Sequence, residues 1–124
     1  MQASASEFDE LVAQALDGLP AWVQERMDNV AVLVAPWPTA DQRRRMATRS
    51  PHRLVLGLYE GVPLTRRGRG YNLQAPDRIT LFSAALLRVA RDRDHLVELI
   101  QRTVMHEIGH HFGFGEADLS RIGL

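Results

Sequence analysis

The segment that decides the reading of this chain is His106–Glu116, HEIGHHFGFGE. His106 and His110 are four residues apart. On a helix that spacing sets both imidazoles on one face, about one turn apart. The preceding residues support a helix from about His95 to Phe112. Leu96, Leu99, Ile100, Val104 and Ile108 recur at helical spacing, and Asp92 or Asp94 can cap the start. Gly113 to Gly115 ends the pattern, and a Gly there permits the left-handed backbone of a helix terminus.

Two imidazole nitrogens presented in this way can reach a single Zn²⁺. Glu107 follows the first His, beside the ion but not bound to it, where a carboxylate can take a proton from metal-activated water. A catalytic zinc needs a third protein ligand and a fourth position left for water. Past the turn at Gly113, the carboxylate of Glu116 can return to the metal, and Asp118 is a second candidate for the same role. The expected site is therefore one Zn²⁺ on His106, His110 and Glu116, with Glu107 as general base. Gly seven residues after the first His and an acid just past the turn make the match far more specific than HE-x-x-H by itself.

The run resembles the metzincin pattern HE-x-x-H-x-x-G-x-x-H, with Glu116 standing where the last His would be. It is more similar still to a small bacterial family of minimal zincin-like metallopeptidases, whose motif reads HEI-x-HHFG followed by an acidic third ligand, usually Asp. The upstream segments LGLYEGVPLTRRG and PDRITLF also look alike, so the resemblance spans roughly Leu54–Leu119. Glu in place of Asp lengthens the third ligand by one methylene, and no Met follows Glu116. The resemblance implies a compact α+β zincin-like domain, a zinc ion, and hydrolysis of peptide bonds. It also implies an edge strand that pairs with extended substrate, with Ile79–Phe82 as the candidate. A zinc-binding, catalytically silent interaction domain is the alternative from another class. Against it stands the retained Glu107, since a purely structural site needs no base.

Working outward, a first helix is expected from about Glu7 to Leu19, capped by Ser6 with Asp9 three residues on. Phe8, Leu11, Val12, Ala15, Leu16 and Leu19 fall on one face of it. A short helix follows from Pro20 to about Met27. Val30–Ala35 (VAVLVA) reads as a buried strand, since it is continuously apolar and bounded by Asn29 and Pro36. Thr39–Thr48 is polar, a short helix or a loop. Leu54–Tyr59 and Arg78–Phe82 read as strands, with a loop from Thr65 to Pro76 between them. Ser83 to about Arg91 and Glu116–Ile122 read as short helices. The expected fold is a sheet of about three strands packed on helices that include the metal-binding one, in a single domain over residues 1–124.

The remaining composition narrows the partners. The chain has 124 residues, no Cys and a net charge of zero. The lack of Cys excludes a disulfide scaffold and a thiolate metal site. All 15 basic residues are Arg. Those at 43–45 and at 66, 67 and 69 are clustered, but the absence of excess positive charge argues for solvated faces rather than a nucleic-acid surface. No apolar run approaches a membrane span, and the first residues lack a basic and an apolar leader region, so a cytoplasmic location is expected. The partner is then a peptide or protein substrate. His52 and His95 read as surface or capping residues, Trp22 and Trp37 as core, and His111 as turned about 100° from the ligand face. Tyr71 has a hydroxyl suited to an oxyanion, and an ordinary loop role is the simpler assignment.

Overall fold

A computed structural model describes residues 1–46, 54–61 and 76–113 of the chain. The elements within them run α1 (Ala5–Asp17), α2 (Ala21–Arg26), β1 (Val30–Ala35), α3 (Ala40–Met46), β2 (Gly57–Glu60), β3 (Asp77–Phe82), α4 (Ser83–Val89) and α5 (Arg93–His111). The architecture is α+β, with a small three-stranded mixed sheet and helices packed on it. The expected last helix, the Thr65–Pro76 loop up to residue 75, Tyr71 and His52 lie outside the described residues.

α1 starts two residues earlier than the sequence pattern suggests, because Ser4 rather than Ser6 caps it. The Glu7 N–H donates to the Ser4 hydroxyl at 3.1 Å, and the Ser4 N–H donates back to the Glu7 carboxylate at 3.2 Å. This reciprocal pair satisfies two of the donors that a helix start leaves open, and Ser6 with Asp9 has no such return bond here. The apolar face is as the periodicity predicts: Phe8, Leu11, Val12 and Ala15 are buried. α5 starts at Asp92, whose carboxylate accepts the His95 N–H at 2.8 Å.

In the sheet, β3 lies between the other two strands. β1 pairs with it in parallel, from Val30 opposite Asp77 to Ala35 opposite Phe82. β2 pairs with it antiparallel, from Gly57 opposite Leu81 to Glu60 opposite Arg78. This overturns two expectations. Ile79–Phe82 is not an edge: both its neighbours are strands, and Ile79, Thr80, Leu81 and Phe82 are all buried. Val30–Ala35, expected to be buried, is the outer strand on the other side, with Leu33 46% and Val34 41% exposed. Continuous apolarity identifies a strand, but it does not say which of its sides receives a neighbour.

Alternation along β3 divides the core. Ile79 and Leu81 face α1, α2 and α5, joining Phe8, Leu11, Val23, Leu96, Ile100, Val104 and Ile108. Phe82 faces the other way, with Met46, Leu58 and Ala85. Each fully buried aliphatic side chain contributes about 1.5–3 kcal/mol by removal from water, which makes the α1–α5–β3 layer the main source of stability. Trp37 is not part of it. It is 41% exposed, and the Arg88 guanidinium lies 5.1 Å from its ring centroid. Trp22 packs partly buried against the main cluster. Among the described residues, no helix is long and apolar enough to cross a membrane.

Candidate metal centre

α5 carries three rows of side chains with different surroundings. Leu96, Ile100, Val104 and Ile108 form the buried row, which fixes the rotation of the helix about its axis. Thr103, Glu107 and His111 follow at intervals of four residues and run along β2. A Cβ added to Gly57 would come within 2.7 Å of the Thr103 Cγ2, so strand and helix touch there at van der Waals distance. His106 and His110 form the third row, outside the second.

The two outer histidines converge. Their Nε2 atoms are 3.0 Å apart, with ring centroids at 4.5 Å and an interplanar angle of 65°. Imidazole lone pairs held at that distance repel unless a proton or a cation lies between them. At 3.0 Å the two nitrogens share a hydrogen bond, and two nitrogens bound tetrahedrally to Zn²⁺ at about 2.0–2.1 Å stand about 3.3 Å apart, a separation a small movement of the rings would reach. The donor type suits zinc as well, imidazole being one of its preferred ligands. Among the described residues there is no group of three possible metal ligands. Glu116 and Asp118, the two candidates for the third position, lie outside those residues. What leads toward them is described. Phe112 closes α5 by donating its N–H to the Ile108 carbonyl at 3.0 Å, and Gly113 follows with φ of +89°. A side chain at that φ is strained, so glycine is what allows the chain to leave the helix here.

Glu107 is held by the sheet. Its Oε1 accepts the main-chain N–H of Tyr59 at 2.9 Å. The antiparallel register explains why that N–H is on offer. Phe82 donates to the Leu56 carbonyl at 2.9 Å, so positions 56, 58 and 60 turn their main-chain groups toward β3, while 57 and 59 turn theirs outward. Around this contact lies a cluster that the sequence did not reveal. The Tyr59 hydroxyl donates to Asp77 Oδ2 at 2.8 Å. The Tyr59 ring stacks on His111 with centroids 3.9 Å apart and 20° between the planes. His111 Nε2 lies 3.8 Å from the same Asp77 oxygen. His111 thus turns to the sheet while its neighbour His110 turns to His106.

On the opposite face of β2, the buried Glu60 carboxylate meets Arg45 Nη1 at 2.7 Å and accepts from Gln42 Nε2 at 2.9 Å. Part of the Arg43–Arg45 cluster is therefore used to dock α3 onto the strand. Spacing could not have found Tyr59 or Asp77, since Tyr59 and Glu107 are 48 residues apart in the chain. The one usable signal was alternation: Tyr59 shares a strand face with Gly57, the position where a helix can approach closely.

A helix bearing HE-x-x-H, laid beside an antiparallel strand of a small sheet, is the frame of a zincin. The profile of the zincin-like metallopeptidase family matches residues 27–124, and the chain belongs to that family. Membership brings with it zinc and peptidase chemistry at the level of the family. No curated protein matches the chain.

Proposed function

We propose that this chain is a zinc-dependent peptidase in which His106, His110 and Glu116 hold one Zn²⁺ and Glu107 is the general base. The observation that carries the reading is the pairing of two features on one helical turn: imidazole nitrogens 3.0 Å apart, and between them in sequence a carboxylate oriented by the Tyr59 N–H. When bound, zinc lowers the pKa of water toward about 7 and polarises a carbonyl oxygen. Glu107 takes the proton of the attacking water at a carboxylate oxygen and returns it to the departing amine. The hydrogen bond from Tyr59 fixes the plane of that carboxylate, so the group meets its proton without first losing rotational freedom.

The partner is a peptide or protein in extended form. We assign it to the outer edge of β2 rather than to β3, because β3 has a strand on each side and Gly57 turns its main-chain N–H and C=O outward, two residues before the Tyr59 N–H that Glu107 takes.

Two measurements test this. Metal analysis of the purified protein is expected to give one zinc per chain. The zinc-loaded protein is expected to cleave fluorescent casein, with chelator abolishing the activity and Glu107→Gln lowering it by about 10²–10⁴-fold, the usual weight of a general base. Full activity in Glu107→Gln overturns the role of Glu107. Zinc at unit stoichiometry without cleavage of any peptide overturns the enzyme and leaves a zinc-binding interaction domain.

A further inference from the structure

Glu107 is a three-torsion side chain on a helix, yet the hydrogen bond that orients it comes from a strand contributed by a distant part of the sequence. The quality of that bond depends on the height at which β2 sits against α5. Ladder bonds to β3 set the strand's register but not its rotation toward the helix. Something on the α5 side of β2 must set that.

The side chain of Tyr59 is built for this. It lies on the same strand face as Gly57, where strand and helix make van der Waals contact at Thr103. Its ring rests flat on His111, one turn beyond Glu107 on the same row of α5. Its hydroxyl reaches Asp77, which lies diagonally across the antiparallel pair: Tyr59 stands opposite Ile79, and Asp77 is two residues before Ile79 in β3. One residue thus spans from the central strand to the last turn of the helix. The same residue's main-chain N–H holds the carboxylate.

We propose that Tyr59 is a positioning residue: clamped by Asp77 and by the stack on His111, its side chain sets β2 at the height where its own N–H orients Glu107. The assignment rests on Glu107 being the base of the reaction proposed above. It adds that Tyr59 acts on that reaction only through Glu107, and that Asp77 acts through Tyr59.

The test is a double-variant cycle read by amide hydrogen exchange on the full chain without metal. Glu107→Ala is expected to speed exchange of the residue 59 amide by about fivefold, the weight of one ordinary hydrogen bond. Tyr59→Leu is expected to do the same after correction for its intrinsic rate. Combining the two should add nothing, because the bond is already lost. Amides of β3 in the same spectra should keep their rates, which a general loosening of the fold would not allow. Tyr59→Phe keeps the ring on His111 and should give an intermediate rate, with Asp77→Ala matching it.

With zinc loaded, casein cleavage should fall in the same order, while zinc affinity stays within about twofold, the margin for independent sites. Additive effects in the double variant overturn the proposal. So does exchange at residue 59 that is unchanged in both Tyr59→Phe and Asp77→Ala, and those two variants decide the matter if Tyr59→Leu does not fold. If the unaltered protein cleaves no casein, the peptidase reading fails, and the exchange cycle still reports whether Tyr59 positions Glu107.

Discussion

The two outer strands of the sheet are opposites. β1 has six residues, all apolar, and yet carries Leu33 and Val34 in substantial contact with solvent. β2 has four residues, among them a glycine, a tyrosine and a glutamate, and it is tied down on both faces. Glu60 is held by Arg45 and Gln42 on one side, and Tyr59 by Asp77 and His111 on the other. Hydrophobicity therefore ranks the two strands in the wrong order of importance. What sets β2 apart is the number of directional contacts it makes, those of Tyr59 lying next to Glu107 and those of Glu60 on the opposite face. β1 shows the opposite economy: a surface held by ladder bonds and packing, with nothing on it that needs exact placement.

Substitutions can break this contrast or sharpen it. The largest effect is expected on the β2 side at the metal. His110→Ala should weaken zinc binding by well over about a hundredfold, since even a group that only supports a ligand is worth tenfold to a hundredfold. Competition with a chromogenic chelator measures it, and an unchanged affinity would remove His110 from the site. Next comes Leu81→Ala on the central strand that both edges share. Leu81 is completely buried, and the cavity should cost about 2–5 kcal/mol in urea unfolding. A loss below roughly 1 kcal/mol, near the cost of a surface change, would mean the two edges do not depend on β3.

Gly57→Ala follows, at about 1–3 kcal/mol, because overpacking is relieved only by backbone movement. The new methyl would meet Thr103 Cγ2 at 2.7 Å and the Thr80 carbonyl oxygen at 3.2 Å, so β2 must shift away from α5. Pairing it with Thr103→Ser, which deletes the opposing methyl, should restore most of the loss. The mirror experiment on β1, Leu33→Thr, should change stability by no more than about 0.5 kcal/mol, as expected at an exposed position.

The smallest effect is a control remote from both edges. At the start of α1, the Ser4 N–H, the Ser4 hydroxyl and then Arg93 hold the Glu7 carboxyl below its ordinary pKa. A depressed folded-state pKa gives stability that is present above the unfolded value and is lost as pH falls through the folded one. Glu7→Gln should flatten that acid-side slope slightly in thermal melts and leave the neutral-pH melting temperature little changed.

The sequence disclosed what is local and concealed what is not. The α5 pattern and the turn at Gly113 are set by residues within a few positions of one another and can be read in advance, and the cap is narrowed to Asp92 or Asp94, of which the structure uses Asp92. The sequence reading places the α1 cap at Ser6, whereas the structure uses Ser4, which exchanges two hydrogen bonds with Glu7. The exposure of Trp37 and of Leu33, and the central place of β3, depend on which elements pack where, and composition is silent on that. Tyr59, Asp77 and His111 meet only because antiparallel pairing brings residue 59 opposite residue 79 and the buried row of α5 fixes the rotation of that helix. The family, by contrast, was legible from eight residues, His106 to Gly113.

One consequence concerns the order in which the chain can assemble. His106 and His110 are neighbours through a single helical turn, so a fluctuating α5 can bring their nitrogens together before any tertiary contact exists. Glu107 meets Tyr59 across 48 residues, and α5 meets α1 across still more, as the Gln101 bond to the Ala15 carbonyl shows. Closing such loops is entropically costly and comes late in folding. The two imidazoles therefore converge through local structure alone, whereas the Glu107 carboxylate is oriented only once β2 and α5 are together. If Glu107 is the base proposed above, activity is the last property the fold acquires, since it needs the docking of the sheet against α5 as well as the helix itself.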